Sequence, residues 1–425
     1  MAGGILQKTY PANTKIILVL PDFPAANSGA GQRSLLLLDG AAALGQVHVV
    51  VLSDQVPGDA AVRLPQAASV AGWGRGTLQL GGMMRHVPHG ALRLLAPDHL
   101  YRPDPVLRAR LDDLIARTGA KAVIFRYFRT FCAAGMASHD DLAVLVDIDD
   151  RDDQKYATRL MRMFGERLGG SGAFRLPVRR LGRMMQRRLA DASLIWFAGA
   201  EDAWALPKVR TAILPNVPMI APVGKDMPPP SQGDAVLFVG ISSHIPNQDG
   251  IRWFLDHCWA DLAREFPAIR LRIVGRGRYW PELAARYPGL DRVDFAGPVE
   301  DLASEYARAR LCICPVREGG GSKIKVIEAA GFGRPIVGVP HAFRGFEAGI
   351  RDHAAEALSP KDFAAACSVF LRNGDRADQA GAALAEWQKR HYSRDAALAK
   401  IKADIAGAAS QGSSDPFTPD AGTNS

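Results

Sequence analysis

The stretch PVREGGGSKIKVIEAAGFGRPIVGVP, Pro315 to Pro340, constrains this chain more than any other. An apolar run of β type, Leu311 to Pro315, enters the glycine triplet Gly319 to Gly321. Lys323 to Phe332 then reads as a helix closed by Gly333 and Pro335, and a second apolar run, Ile336 to Val339, follows. Strand, glycine-rich turn, helix and strand in that order belong to an α/β unit. Bare N–H groups at such a turn, the positive end of the helix dipole and the charges of Lys323 and Lys325 together make a site for an anion such as a diphosphate. Glu328 lies about one turn beyond Lys325 on the same helix, where a carboxylate can accept hydrogen bonds from vicinal hydroxyls of a ribose or a sugar. An anion cradle next to a diol acceptor predicts a nucleotide-sugar pocket.

The rest of the chain is long enough to support such a unit twice. With 425 residues, 48% hydrophobic and 23% charged, it has the composition of a globular protein of two domains, each with its own core. No apolar run reaches the length of about 18 residues that a membrane span requires. The start, MAGGILQKTYPANTK, lacks the pattern of a secretory signal, so a cytoplasmic location is expected. The five cysteines (132, 258, 312, 314 and 367) are thinly spread. Cys312 and Cys314 read as a pair of thiols in one buried strand; no zinc spacing accompanies them, and neither a metal nor a cofactor is expected.

The net charge of +8 is concentrated. Lys155 to Arg188 holds ten Lys or Arg and one acid, Glu166. Met161, Met163, Phe164, Leu168, Phe174 and Leu176 interleave with them, so the segment reads either as a solvated helix face or as a helix at an anionic membrane surface. A nucleic-acid partner is not expected.

Along the chain, Lys15 to Leu20 reads as a buried first strand, followed by the turn PDFPAANSGAGQRS and a helix from Leu35 to Leu44. Gly29, Gly31 and Ser34 form a loose glycine fingerprint that also fits a plain strand-to-helix turn. Val47 to Leu52 is a second strand. Ser53 to Asp104 then reads as irregular. Leu80 to Pro103 mixes apolar and basic residues without clear periodicity, where a two-domain transferase would place an acceptor-binding insertion. His86 and His89 read either as phosphate or acceptor contacts or as ordinary surface histidines. Lys121 to Phe125 and Ala143 to Val146 are further strands, the second running into Asp147, Asp149, Asp150, Asp152 and Asp153. These carboxylates have three open readings: helix caps, ligands of a divalent cation, or acceptor contacts. A strand (Ser193 to Phe197), a helix (Ala200 to Leu206) and a strand (Thr211 to Leu214) end the first domain. Val217 to Gly233 is a proline-rich linker. Beyond it, strands at 235–239, 271–274, 293–295 and 311–314 alternate with helices at 250–266, 279–286 and 301–308, the spacing of a parallel doubly wound sheet. The expected division is 1–216, a linker at 217–233, a second domain at 234–390, a terminal helix at 391–407 and a disordered tail at 408–425.

The 315–340 stretch resembles the donor-site motif of the retaining glycosyltransferases of family 4, the "group 1" glycosyltransferases. It is closest to the variant of exopolysaccharide-type enzymes in which GGG is followed by two basic residues and Glu-Ala. VLFVGISSHIPNQDGIRWF, LRIVGRG, VDFAGPVEDL and VDIDDRDDQKYA extend the resemblance over most of the chain, more strongly in its second half. The resemblance implies a GT-B fold, two Rossmann-like domains facing across a cleft, with the terminal helix crossing back onto the first. It implies a hexosyltransferase that uses a nucleotide-diphosphate sugar as donor substrate and a glycan or lipid-linked acceptor, working in cell-surface polysaccharide assembly, peripheral to the inner face of the cytoplasmic membrane. By the same resemblance Lys323, Glu318 and Asp150 are catalytic candidates. Gly240, Asn247, Arg276, Gly297, Val299, Gly319, Gly320, Gly321, Ser322, Lys325 and Glu328 would bind the donor, and Ser28, Gly29, Gly31 and Arg33 belong to the acceptor-side loop.

The chain departs from the commoner family pattern in two places. Counting back from Glu328, the first of the family's two glutamates falls at Gly320, and the nearest carboxylate is Glu318. After Gly240, Ser242, Ser243, His244 and Asn247 stand where many relatives carry an Arg and a Lys, so the positive charge must come from Lys323 and Lys325. Both departures also fit an inactive GT-B scaffold. An NAD-dependent oxidoreductase built on Gly29 and Gly31 is opposed by the strongest motif lying in the other domain.

Overall fold

TKIILVL, Thr14–Leu20, forms the first strand, β1, and every residue in it except Lys15 is buried. A strand with no face for water must be covered on both sides, which favours a parallel sheet with helices above and below. The computed structural model, which describes residues 14–25, 29–74, 101–169, 172–204, 206, 209–218, 227–290, 292–319, 323–346 and 349–410, has two such sheets.

In the first domain β1 lies at the centre of the order β3-β2-β1-β4-β5-β6-β7, with β2 at Gly45–Val51, β3 at Ala67–Gly72, β4 at Ala122–Arg126, β5 at Ala143–Ile148, β6 at Leu194–Phe197 and β7 at Arg210–Ile213. All neighbouring pairs are parallel. Side chains alternate across the sheet: Ile16, Leu18 and Leu20 enter one core, and Ile17 and Val19 the other. The second sheet has the order β10-β9-β8-β11-β12-β13, with β8 at Ala235–Val239, β9 at Arg270–Val274, β10 at Val293–Gly297, β11 at Ala309–Cys314, β12 at Ile336–Gly338 and β13 at Ala355–Glu356. It too is parallel throughout. In both sheets the order reverses beside the first strand, so the crevices at β1/β4 and β8/β11 are where a doubly wound fold places its ligands.

Several local features differ from the sequence reading. The segment 53–104 contains a short helix, Ala60–Arg63, and β3, because two-residue alternation was too weak there to stand out. The expected helix at Ala200 to Leu206 is a single 3-10 turn, Ala200–Asp202. The helix expected from Gly250 starts earlier, at Ile245 with Pro246 in its first turn, and passes through one π turn, Leu255–Trp259. Helices Pro360–Arg372 and Gly374–His391 add to the expected elements, and Ser359 and Asp362 cap the first reciprocally. The basic segment forms two helices, Asp152–Gly169 and Gly172–Leu189, and Met161, Met163, Phe164 and Leu176 are exposed on them. Cys312 and Cys314 are both buried in β11. His86, His89 and most of the expected acceptor insertion lie outside the described residues, as do Ser28, Gly320, Gly321, Ser322 and the tail beyond Ser410.

The final helix, Arg394–Ser410, lies on the first domain. Asp404 accepts hydrogen bonds from Trp196 Nε1 (2.8 Å) and Arg210 Nη2 (2.7 Å), and Arg394 pairs with Asp39. Gly40 faces Ile401 so closely that a Cβ there would come within 2.6 Å of its side chain, which lets the Gly29–Ala42 helix and this one pack tightly.

Candidate active site

On the second domain the site grows from two adjacent strands. β8 ends at Val239 and β11 at Cys314, and because they pair, the turns that follow them sit side by side at the carboxyl edge of the sheet. One turn carries Gly240 and leads to the Ile245–Phe254 helix; the other carries Glu318 and Gly319 and leads to the Ile324–Gly331 helix. Asn247 bridges them. Its Nδ2 donates to the Ile241 carbonyl (2.9 Å), and its Oδ1 accepts from Lys325 Nζ at 2.6 Å. A Cβ at Gly240 would come 2.7 Å from Asn247 Nδ2 and 3.0 Å from Lys325 Nζ, so a bare backbone at this point is a packing requirement.

Lys325 therefore supplies a cation beside Gly240 from a different element than the Arg and Lys of the commoner pattern. Its ammonium also lies 4.2 Å from the centroid of Phe238. Burial pulls its pKa down to about 8, against the smaller opposing effect of Cys314. Lys323, 7% exposed, is the N-cap residue of the Ile324–Gly331 helix, and its Nζ donates to the Gly319 carbonyl at 3.4 Å. Burial lowers its pKa as well. His341 Nε2 contacts the same carbonyl at 2.8 Å and must carry the proton to do so. Burial and Lys323 push the His341 pKa down to about 4, so the ring is neutral. Glu318 is part-buried at the start of this turn.

Glu328 is one helical turn further in and 4% exposed. Its Oε2 accepts from the Tyr306 hydroxyl (3.2 Å), and Tyr306 is stacked on Phe332 with centroids 4.5 Å apart. Burial raises the Glu328 pKa. On the other flank, the ends of β8, β9 and β10 are drawn together. Gly275 N–H donates to the Gly297 carbonyl (2.7 Å), and with φ of +141° Gly275 lies against Gly240, whose carbonyl a Cβ would meet at 2.1 Å. Arg276 is exposed between these turns, its carbonyl accepting from Ser242 N–H (2.8 Å), and Val299 is part-buried beyond Gly297.

The first domain presents a different surface. Arg33 is 1% exposed. Its Nη2 and Nε donate to Asp147 at 2.6 and 2.9 Å, and its Nη1 to the Leu214 carbonyl (2.7 Å) and Asn216 Oδ1 (3.0 Å). Arg126, also buried, spans Asp147 and Asp149 at 2.9 Å each. Asn216 Nδ2 closes the network on Asp149 Oδ1 at 2.8 Å. Burial opposes both charges, yet Arg126 and Arg33 hold Asp149 well below the usual carboxylate range, and Asp147 holds Arg126 above its own. Tyr127 sits on this floor with φ of +74° and ψ of 145°, a conformation most side-chain-bearing residues avoid, and Arg126 lies 3.8 Å from its ring centroid.

Asp150 follows this floor and is part-buried. Lys155 Nζ is 3.8 Å from it, and its buried Oδ1 has no hydrogen-bond partner among the described residues. Burial and Asp149 raise its pKa while Lys155 and Lys323 pull it back, which puts Asp150 and Lys323 within electrostatic reach across the cleft. Of the remaining carboxylates, Asp152 and Asp153 open the Asp152–Gly169 helix, and Asp153 pairs with Arg151 (2.7 Å). Among the described residues no group of three His, Cys, Asp or Glu converges as a metal site.

The two faces touch at defined points. Gln32 Nε2 donates to Glu328 Oε1 at 3.3 Å, and a Cβ on Gly29 would lie 3.5 Å from Ile324 Cγ2. Arg344 reaches Glu201 (3.2 Å) and Asp202 (3.4 Å). Gly31 is buried in the same first helical turn as Gln32. Lys323, Lys325, Asn247, Gly240 and Glu328 are thus one cluster, with Asp150 and Gly29 facing it, whereas Arg33 is enclosed in the floor and Gly31 packs against the backbone of Ala25. Gln32, Arg126, Tyr127, Tyr306 and Asn216 were not singled out in the sequence. Each acts through a partner at least 20 residues away or through a backbone angle, neither of which a local pattern reveals.

Residues 233–373 match the family described as "Glycosyl transferases group 1". Solved structures of similar fold include a sucrose-phosphate synthase from Thermosynechococcus elongatus, with a TM-score of 0.64 at 16% identity over 93% of this chain and 99% of that one. Another is Alr3699/HepE from Anabaena, in complex with UDP and glucose, with a TM-score of 0.59 at 13% identity over 92% of this chain and 98% of that one. A third is WaaG, a glycosyltransferase involved in lipopolysaccharide biosynthesis, with a TM-score of 0.57 at 14% identity over 91% and 99% of the two chains. No curated protein matches this chain. The fold is GT-B, and the family match falls on the second domain.

Proposed function

We propose that this protein transfers a sugar, with retention of anomeric configuration, from a nucleotide-diphosphate sugar to a glycan or lipid-linked acceptor. One observation carries the reading: Lys325, held on the neutral Asn247 beside Gly240, and Lys323, at the mouth of the Ile324–Gly331 helix, put two buried cations where a diphosphate would lie, with Glu328 one turn away. In such a transfer the diphosphate leaves the anomeric carbon while the acceptor hydroxyl approaches the same face, so catalysis rests on positioning and on neutralising the leaving group. Lys323, Lys325, the helix dipole and the N–H groups of Gly319 to Gly321 perform the neutralisation. Glu328 accepts from ribose or sugar hydroxyls, with Arg276, Gly297 and Val299 beside the base and Glu318 at the rim of the cradle. Asp150, opposite Lys323, accepts a hydrogen bond from the incoming acceptor.

The acceptor setting is cell-surface polysaccharide assembly at the inner face of the cytoplasmic membrane. Exposed Met161, Met163, Phe164 and Leu176 among the arginines of two helices support contact with an anionic lipid surface. No described helix is long and apolar enough to cross a membrane.

The test is thermal-shift and titration measurement of UDP, GDP and their common sugar conjugates on the wild type and on Glu328→Ala. Stabilisation by one nucleotide, lost in the variant, is the expected result and names the base. If none of them stabilises the wild type, the donor-site reading is wrong and an inactive scaffold becomes the better account.

A further inference from the structure

Gln32 is the fourth residue of the Gly29–Ala42 helix and is 4% exposed. Its Nε2 donates across the cleft to Glu328 Oε1, but its Oε1 is buried with no hydrogen-bond partner among the described residues. A buried amide oxygen left without a donor is costly and uncommon in a native fold. Rotating the amide does not relieve it, since that would set the carbonyl oxygen against the Glu328 carboxylate. The free oxygen is therefore a consequence of how Gln32 serves Glu328. The carboxylate is held by one donor from each domain, Gln32 and Tyr306, and Tyr306 is itself fixed by its stack on Phe332.

We propose that Gln32 determines donor specificity from the first domain: its amide N–H orients Glu328, and its unpaired Oε1 accepts a hydrogen bond from one hydroxyl of a vicinal diol whose other hydroxyl donates to Glu328. This rests on the donor-site reading above. The contact would also make donor binding depend on both faces of the cleft, because each Glu328 oxygen already accepts from a protein donor whereas Gln32 Oε1 accepts from none among the described residues. A nucleotide ribose and a transferred hexose both carry such a diol, and the choice between them is experimental.

The experiment is calorimetric titration of UDP, GDP, their 2′,3′-dideoxy forms, UDP-glucose and GDP-mannose into wild type, Gln32→Leu, Gln32→Glu and Glu328→Ala. Gln32→Leu is expected to weaken the preferred ligand about tenfold, the scale of one hydrogen bond lost at a charged partner. If the ribose is the diol, the free diphosphate is weakened and its dideoxy form is not. If the hexose is, only the sugar conjugate is weakened. Gln32→Glu sets two carboxylates together, so its affinity should be lowest at neutral pH and recover as pH falls and the pair takes up a proton. A side chain with a purely structural role does not distinguish a ligand that carries the diol from one that lacks it. The proposal is overturned if Gln32→Leu binds every ligand as the wild type does while Glu328→Ala does not, or if Gln32→Glu shows no pH dependence beyond that of the wild type. Failure of the wild type to bind any of the nucleotides overturns the donor-site reading and this proposal with it.

Discussion

The two faces of the cleft handle buried charge in opposite ways. In the first domain Arg33 and Arg126 are enclosed but matched by Asp147 and Asp149, and Asn216 fills the remaining hydrogen-bonding positions. In the second, Lys325 meets an amide and an aromatic face, and its pKa falls because those partners do not make up for lost water. A charge buried with its counterion is part of the scaffold, whereas a cation buried without one is stable only at a cost, which a bound anion would remove. The difference marks which face is built to be complete by itself and which is built to receive a ligand. It also accounts for Arg33: the residue belongs to the glycine-rich loop in sequence, but its charge is already spent inside the floor.

The comparison predicts its own breaking points. The largest effect is expected at Asp147. Its replacement by Ala removes the carboxylate shared by two buried guanidinium groups, and unfolding free energy should drop by roughly 4 kcal/mol, as for other broken buried pairs. Denaturant unfolding measures this; a loss below about 1 kcal/mol, the level of an exposed pair, would show that the floor is not the charge-balanced unit described. Lys323→Ala should behave in the reverse manner. Stability should change little, because a buried cation is removed, while turnover should fall about 10²- to 10³-fold, the scale of one preorganised donor at a developing charge. Steady-state kinetics of the identified donor would decide it, near-normal turnover in the folded variant being the adverse result.

This asymmetry was only half visible in the sequence. The segment from Leu311 to Val339 was legible because everything in it is local: an apolar strand, glycines, a helix start at Lys323 and a stop at Gly333. The structure moves the helix start by one residue, to Ile324, and leaves Lys323 as its N-cap. The pairing of Lys325 with Asn247 was not legible, since it joins positions 78 apart and exists only because β8 and β11 are neighbours. Asp147, Asp149 and Asp150 could be recognised as carboxylates at a strand end. Which of them faces the cleft depends on Arg33 and Arg126, and no spacing rule couples those arginines to β5. β13 is two residues long and too short for any period to register. The helix at Pro360–Arg372 is a different case, for its capping pair, Ser359 and Asp362, is three residues apart and is a local signal.

The smallest expected effect gives the sharpest reading of the contrast, because it follows a proton on a single residue. Lys325 has a folded-state pKa of about 8 against 10.5 in the unfolded chain. Between those values the unfolded state binds more protons, so this lysine makes the free protein more stable as pH rises from about 8 toward 10. Nucleotide affinity should move the other way. A diphosphate needs the ammonium form, and above pH 8 its association constant should fall by up to about tenfold per pH unit, the limit set by one coupled proton. Lys325→Arg keeps its charge throughout and should lose both trends, while Lys325→Met should lose the affinity and its pH slope together without destabilising the domain. Titrations from pH 7 to 10 on the three proteins separate these cases. If the wild type and Lys325→Arg show the same slope, the proton belongs to another group.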